Sequence, residues 1–313
     1  MDANSLFIFF CVFMLGAASG YFSERVGIVN IGINGMMIFG AMMYCVFGAL
    51  FNGSSVNSSA NGNLGDSYFI VAILLAGFST VIMGLFFGFS TIYLKTDHVI
   101  AGTSINLLGA GIGLSLTNKL GEQLLGGATN LSNPFQHIWD LSSTAGALKG
   151  SILFLGLFVV LIIVIFMIIF KFTKFGLRYK SIGENPNAAD SQGIKVSRYQ
   201  WIGMIISSIL AGMAGAIFMY SSFNKPFYGE VDGLGFMTLA IMITGSWKLP
   251  LILIVSIGFS ALYTYGSQPN PNNISPNILK MIPYIVTIGF LILFSKRMQG
   301  PKFAGQHFDK SRR

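Results

Sequence analysis

Long runs of apolar residues, separated by short polar turns, make up most of this chain. Several runs exceed about 18 residues without a charge, which is enough for a helix to cross the hydrocarbon core of a bilayer. The pattern predicts an all-α fold, a polytopic transmembrane helical bundle of about nine spans (roughly eight to ten) in one membrane domain covering residues 1–313. The predicted spans are 5–22, 28–51, 68–93, 98–118, 151–172, 201–222, 231–247, 251–266 and 280–296.

Composition supports a membrane protein and indicates its orientation. The chain is 53% hydrophobic and 10% charged, whereas soluble domains carry about 25% charged residues. Of its 19 lysines and arginines, six lie in 171–200 and six in 296–313. Basic residues beside spans mark cytoplasmic loops, so the net charge of +8 does not indicate nucleic-acid binding. We therefore predict a cytoplasmic loop at 173–200 and a basic cytoplasmic tail at 297–313.

Successive spans cross the membrane in opposite directions, so these two cytoplasmic segments determine on which side each remaining loop lies. Segment 119–150 becomes an extracytoplasmic loop, as do the loops "FNGSSVNSSANGNLGDS" and "SQPNPNNISPN", which contain no lysine or arginine. The amino terminus also lies outside. The second run, "GIVNIGINGMMIFGAMMYCVFGAL", has polar residues early in its course. A broken or re-entrant helix there is the alternative, and it would change the span count by one and reverse the amino terminus.

Charged residues are absent from the middle of the predicted spans. Because a charge there is costly and usually marks a proton relay or a charged substrate, the pattern disfavours proton-coupled transport and ionic channels. His98, His137 and His307 lack metal-ligand spacing, and the chain has neither a P-loop nor a nucleophile elbow. We expect no enzyme, no metal and no cofactor bound by this chain. Sodium coupling through carbonyls and hydroxyls stays open.

Uncharged polar residues remain within two spans. Asn30 and Asn34 are four residues apart and would face the same way on a continuous helix. Thr103, Ser104 and Asn106 lie in the fourth span. They could line a pathway for a neutral, hydrogen-bonding solute, or hydrogen-bond between helices, a contact worth about 0.6 kcal/mol on average. We weigh both interpretations equally for the asparagines and favour packing for Thr103 and Ser104.

The insert "GENPNAADSQGIKVSRYQ" carries the signals of a short helix between two apolar runs. Asn185 is a favoured N-cap, Pro186 suits the first helical position, and Gly193 can adopt the left-handed conformation that ends a helix. Ala188 and Ala189 give it a small, smooth surface. Such a short helix is marginal in water, and the membrane domain offers little apolar surface nearby, so we expect a cytoplasmic partner to hold it. The alternative is a simple inter-span loop.

Four segments carry a resemblance to a known family. They are "ERVGIVNIGINGMMIFGAM", "TDHVIAGTSINLLGAGI", "LRYKSIGENPNAADSQGIKVSRYQWIGMIISSILAGMAGAIF" and "GLGFMTLAIMITGSWKLP". In this order they resemble permease subunits of ATP-binding-cassette (ABC) importers in the branched-chain amino acid, ribose and nucleoside group, and most closely the nucleoside branch. The chain length and the segment "GMMIFGA" are similar to those of the shorter permease in such systems, which usually pair two permeases.

The resemblance implies a type II ABC importer-like permease in the plasma membrane, with a cytoplasmic carboxyl terminus, that forms half of a pathway for purine or pyrimidine nucleosides. Its implied partners are a second homologous permease, a cytoplasmic ATPase with two cassettes that uses ATP and Mg, and an extracytoplasmic substrate-binding lipoprotein.

The insert then corresponds to the coupling helix that docks in the ATPase. Ala188 and Ala189 would fill the ATPase groove, Glu184 and Asp190 would make polar contacts, and Gly193 would allow the exit turn. The implied coupling residues are Gly183, Glu184, Asn185, Pro186, Ala188, Ala189, Asp190 and Gly193.

The solute is less firmly indicated than the architecture. The family usually has a glutamate where this chain has Asn34, before Gly35, and its late-span motif is richer in small residues. A sugar such as ribose, a branched-chain amino acid, and a stand-alone sodium-driven carrier or channel are the alternatives. The hypothetical pathway residues are Asn30, Asn34, Gly35, Thr103, Ser104 and Asn106.

Overall fold

A computed structural model gives the fold of most of the chain. Described residues are 3–51, 68–124, 150–221, 227–267, 281–286, 288–289, 292 and 300–308, without the side chains of 121–124 and 150–151. Over these ranges the protein consists of helices and turns, without a strand. The predicted 119–150 loop lies mostly outside the described residues: α5 ends at Leu124 and α6 begins at Gly150.

The helices follow the apolar runs closely. They are α1 (Ala3–Glu24), α2 (Ile33–Phe51), α3 (Phe69–Ser79), α4 (Val81–Gly88) with a π-helical end (Phe89–Tyr93), α5 (His98–Leu124), α6 (Gly150–Phe172), α7 (Lys174–Glu184), α8 (Pro186–Ser191), α9 (Val196–Ser221), α10 (Leu234–Thr244) and α11 (Leu249–Ser267).

Seven segments of the described chain are long and apolar enough to cross a membrane, which confirms a multi-pass helical membrane protein. They are Ala3–Glu24, Ile33–Phe51, Phe69–Tyr93, His98–Leu120, Ile152–Phe172, Val196–Ser221 and Leu249–Ser267. The predicted span 231–247 contains only the shorter helix α10. The predicted span 280–296 is described only in pieces (281–286, 288–289 and 292, all helical), so the count of about nine is not confirmed.

Three helices form the centre of the bundle. Within their apolar windows, 78% of α1 and of α9 and 72% of α2 is buried inside the chain, against 28% of α5 and of α6. Glycines bring the central helices into backbone contact. A Cβ atom at Gly215 would lie 1.9 Å from the carbonyl oxygen of Met37, and one at Gly40 would lie 2.3 Å from that of Gly212. These glycines therefore allow the close helix packing that membrane bundles depend on.

The second apolar run is broken near its start. Residues 25–32 form turns, with Gly27 at a φ of +89°, and α2 begins only at Ile33. Asn30 therefore precedes the helix, and the prediction that Asn30 and Asn34 share one face of a continuous helix is wrong. The 19 residues of α2 still span about 28 Å, which is close to the thickness of a hydrocarbon core.

Helix α10 also begins inside the bundle. It follows Asp232 and Gly233, which have φ angles of 49° and 68°. Its 11 residues extend about 16 Å, roughly half of a hydrocarbon core. Two described helices, α2 and α10, thus have first turns surrounded by other helices.

Several turns meet at one end of the bundle, which we call the basic end. The Phe303 amide donates to the Gly183 carbonyl at 2.9 Å, and the Gly305 amide donates to the Gly27 carbonyl at 3.0 Å. The basic end comprises 25–32, 94–97, 173–195, 245–248 and 300–308. Apart from Lys119, the lysines and arginines with described side chains lie at or beside this end: Arg25, Lys95, Lys171, Lys174, Arg178, Lys180, Lys195, Arg198, Lys248 and Lys302.

Gly215→Ala should destabilise the protein, because its new methyl group would overlap the main chain of α2. We expect a loss of about 1–3 kcal/mol or more from overpacking. The measurement is thermal stability in detergent, followed by fluorescence-detected size exclusion. Gly258→Ala is the matched control, since within the described residues no atom beyond its own stretch of helix lies within 4 Å of its Cβ position. Equal melting temperatures for the two variants would contradict this account of the α2–α9 contact.

Candidate functional site

The first turn of α2 is in backbone contact with the middle of α5 and with the first turn of α10. A Cβ atom at Gly35 would lie 2.3 Å from the Ile105 carbonyl oxygen, and one at Gly109 would lie 2.5 Å from that of Gly35. At Gly235 it would lie 2.3 Å from the Cα of Asn34. Glycine is therefore needed at each contact. We call the group Asn34, Gly35, Asn106 and Gly235 the asparagine crossing.

Asparagine side chains satisfy the helix ends at this crossing. The first N–H groups of a helix have no partner within the helix. The Gly35 N–H donates to Oδ1 of Asn106 at 2.7 Å, and the Gly235 N–H donates to Oδ1 of Asn34 at 3.2 Å. Nδ2 of Asn106 also donates to the carbonyl of Ile31 at 3.1 Å. Each helix is thus capped by an amide from a different helix.

The crossing is polar but carries no charge of its own. Helix N-termini carry partial positive charge and expose N–H donors. The side chain of Asn34 is half-buried, and its Nδ2 makes no hydrogen bond to a described residue. The crossing therefore offers hydrogen-bond donors to a neutral ligand that carries acceptor atoms.

Asn30 belongs to a separate hydrogen-bond network. It is fully buried, and its Nδ2 donates to Oγ of Ser207 at 3.0 Å. Ser207 in turn shares a 2.9 Å hydrogen bond with Ser19. This chain joins α1, the turn before α2, and α9. For Asn30 the geometry favours the packing interpretation.

Thr103 and Ser104 lie on the outward face of α5. Both hydroxyls donate to the carbonyl of Ile100, at 3.0 and 2.8 Å. Further small or polar residues are exposed on the same face. We call this the polar face of α5; it comprises Thr103, Ser104, Gly111, Ser115 and Asn118, with Ile100, Leu107 and Leu114 exposed among them. Because exposed polar groups are disfavoured in lipid, it is suited to a protein contact or to water.

The polar insert forms the short helix that its sequence predicts. Oδ1 of Asn185 accepts a hydrogen bond from the amide of Ala188 at 3.1 Å, and Pro186 occupies the first position of α8. Gly193 has a φ of +78°, and its amide donates to the Asp190 carbonyl at 2.9 Å. The structure therefore confirms the short helix that the sequence of 185–193 predicts.

The chain itself holds this helix, contrary to the expectation that the membrane domain supplies little apolar surface there. Pro186 is buried, and Ala189 is 3% exposed within the main apolar core. Gly183 is packed against the Arg25 carbonyl. Ala189 is therefore covered by its own chain and cannot fill a partner's groove. Of the two alanines, only Ala188 is exposed.

The polar residues of the insert differ in their surroundings. Glu184 is exposed, and its Oε1 lies 3.8 Å from Nη1 of Arg25. Asp190 is half-buried at the end of α8. Burial and the positive charge of Arg25 lower the pKa of Lys180 on α7. One face of the insert thus contacts the bundle, and Ala188 marks the face that is open.

The sequence interpretation missed residues that link the turns at the basic end. Nη2 of Arg25 donates to the Trp247 carbonyl at 2.6 Å, and Nε1 of Trp247 donates to Oε2 of Glu24, also at 2.6 Å. The adjacent charges of Glu24 and Arg25, directly after a long apolar run, are the sequence signal that points to them.

Asn106→Leu should destabilise the crossing. The change leaves the Gly35 N–H and the Ile31 carbonyl without partners, at a cost of about 1–3 kcal/mol for a buried unpaired group. The measurement is again melting in detergent. Thr103→Val is the control, because the Thr103 hydroxyl is exposed and bonds only within its own helix. A wild-type melting temperature for Asn106→Leu would show that Asn106 does not cap α2.

Comparison with known proteins gives the family. Residues 3–291 match the family model described as branched-chain amino acid transport system / permease component. No solved structure matches the chain.

Three relatives match over nearly the whole chain. An uncharacterized protein of Mycoplasma genitalium is 37% identical, over 96% of this chain and 94% of its own. The nucleoside ABC transporter permease protein NupC of Lactococcus lactis subsp. cremoris is 32% identical, over 94% and 92%. The guanosine ABC transporter permease protein NupQ of Bacillus subtilis is 30% identical, over 96% and 93%. The chain therefore belongs to the branched-chain amino acid transport system permease family, as the membrane subunit of a transporter.

Proposed function

We propose that this chain is one of the two permeases of an ATP-driven nucleoside importer. The observation that carries the proposal is its nearly full-length similarity to permeases named for nucleoside and guanosine transport, at 32% and 30% identity. A local motif would support only a fold or a docking loop. Similarity over all the spans includes the helices that line the pathway.

The asparagine crossing is consistent with a neutral solute. The interiors of the described spans carry no charged side chain, which disfavours a zwitterionic amino acid. A nucleoside is uncharged and has hydroxyl and base acceptors for N–H donors such as Nδ2 of Asn34. Ribose is also neutral, so the choice between the two rests on the relatives and on the assay below.

The polar face of α5 is the proposed lining of the pathway. It lies on the outside of this chain, and the Asn106 side chain leaves the same helix inward, toward the crossing. A second, homologous permease would lie opposite and enclose water between the two subunits. Thr103 and Ser104 would then contact the solute path, and Asn106 would set the position of α2 behind it.

The basic end is the proposed cytoplasmic side, since basic loops are retained there. It contains α8 and the 300–308 segment, so a cytoplasmic carboxyl-terminal tail is part of the proposal. An ATPase with two cassettes would dock against α8 and would bind ATP and Mg. A substrate-binding lipoprotein would deliver the solute on the opposite side.

The decisive experiment is transport by the assembled complex in proteoliposomes. We expect uptake of labelled guanosine or uridine that requires ATP, and little uptake of labelled ribose or leucine. ATP-dependent uptake of ribose or leucine without nucleosides would contradict the substrate. Uptake by this chain alone, without an ATPase or a second permease, would contradict the importer and favour a carrier.

Exposure predicts different effects of a glutamate at the two alanines of α8. Ala188→Glu places a carboxylate on the open face, where burial of an unpaired charge in an ATPase groove is strongly unfavourable. We expect normal amounts of folded protein but loss of ATPase co-purification and uptake. Ala189→Glu should instead reduce the amount of folded protein, because Ala189 is buried in its own chain.

Ser197→Glu is the matched control for Ala188→Glu. Ser197 is exposed on the first turn of α9 at the same end, where an acidic residue is favourable. We expect it to leave ATPase binding intact. If Ala188→Glu also retains the ATPase and full uptake, α8 is not the docking element.

A further inference from the structure

Arg25 joins three turns of the basic end. It lies in the turn between α1 and α2, where its side chain is 17% exposed. Nη1 is 3.8 Å from Oε1 of Glu184 in the insert, and Nη2 donates to the carbonyl of Trp247 at 2.6 Å. Trp247 lies in the turn between α10 and α11. The planar guanidinium thus contacts the docking insert on one side and the end of α10 on the other.

A second contact fixes the same turns. The indole Nε1–H of Trp247 donates to Oε2 of Glu24 at 2.6 Å, so Trp247 binds both residues of the Glu24–Arg25 pair. Ser246 and Trp247 both have a φ of 50°, a conformation that non-glycine residues adopt only when their surroundings hold them there. The position of this turn is therefore imposed by its contacts.

The two helices that leave these turns meet again at the asparagine crossing. From Arg25, the chain runs through the 25–32 turn into α2 and reaches Asn34. From Trp247, it runs back along α10 to Gly235, whose amide donates to Oδ1 of Asn34 at 3.2 Å. Two segments of chain are thus joined at both ends by hydrogen bonds, and we call this closed loop of contacts the circuit. It comprises Arg25, the start of α2, Asn34, α10 and Trp247.

The insert is attached to this circuit by main-chain contacts as well. Gly183 approaches so closely that a Cβ atom would lie 2.4 Å from the Arg25 carbonyl oxygen. The Tyr179 hydroxyl of α7 donates to the carbonyl of Phe22 at the end of α1. The amide of Phe303 donates to the Gly183 carbonyl. Through α7 and Gly183, the residues that lead directly into α8 are therefore packed against the end of α1 and the α1–α2 turn.

We propose that Arg25 is a positioning residue that transmits movement of α8 to the first turns of α2 and α10 at the asparagine crossing. The inference rests on the proposed function, because α8 must receive the movement from an ATPase. Arg25 itself touches neither solute nor ATP. Its role is to make the insert, α2 and α10 move together, so that ATP hydrolysis changes the pathway.

The chemistry of arginine suits this role. Its fork of N–H groups can donate in two directions at once, which a lysine ammonium on a flexible stem reproduces poorly. The Glu184 contact is long and partly exposed, so it is weak enough to break and re-form. The Trp247 contact is short and more enclosed. The insert is thus held to Arg25 by the Gly183 packing and the Glu184 ion pair together, while the Trp247 contact joins Arg25 to the end of α10.

The test is the number of nucleosides transported per ATP hydrolysed by the full complex in proteoliposomes. The probe is labelled guanosine or uridine, whichever the wild type transports. We expect Arg25→Gln to assemble and hydrolyse ATP while transport per ATP falls about fivefold or more, the usual lower range of coupling between sites. Arg25→Lys should restore the ratio only in part. A wild-type ratio in Arg25→Gln would overturn the proposal.

Matched variants separate transmission from a loss of structure. Arg198→Gln removes an arginine at the same end that has no ion pair with the described residues, and should leave the ratio unchanged. Trp247→Phe keeps an aromatic ring and the carbonyl that accepts from Arg25 but loses the donation to Glu24, and Glu184→Gln removes only the ion pair. Both should lower the ratio less than Arg25→Gln.

If Arg25→Gln fails to assemble, Trp247→Phe and Glu184→Gln test the proposal instead. A wild-type number of nucleosides transported per ATP in both variants would overturn it. A wild-type complex that hydrolyses ATP but transports no nucleoside would instead contradict the proposed substrate. The ratio would then be measured with ribose.

Discussion

Two of the described helices begin inside the bundle, and the N–H groups of their first turns must find acceptors there because lipid provides none. The side chains of Asn34 and Asn106 provide them. This requirement brings α2, α5 and α10 together at one level and makes glycine necessary at each point of contact. The polar side chains inside the bundle are therefore needed first to cap the N-termini of these helices. The same hydrogen-bonding groups are also suited to a neutral solute.

The remaining polar and charged groups are distributed around this constraint. Buried serines and Asn30 join α1 to α9 without introducing charge. The ionic groups of Glu24, Arg25 and Glu184 are kept at one end, where water and neighbouring turns can solvate them. The uncharged interior and the ionic basic end are therefore connected by whole helices. A movement of the turns at the basic end is transmitted to the interior through these rigid elements.

Much of the fold was predictable because its signals are local. Apolar runs give the long helices, and the Asn185–Pro186 start with the Gly193 stop gives α8 within one residue. The break before α2 was an open alternative, since glycines and Asn30 interrupt the run. What could not be predicted depends on tertiary contacts. Ala189 faces its own chain because α8 packs against α7 and α9, and no periodicity in a six-residue helix reveals which side is covered.

The packing of residues 300–308 has a consequence for the order of assembly. This segment follows every described helix in the chain, yet its amides bind the carbonyls of Gly27 and Gly183, which are synthesised much earlier. The carbonyls of Gly27 and Gly183 therefore acquire these partners only after residues 300–308 have been synthesised and have returned to the α1–α2 turn.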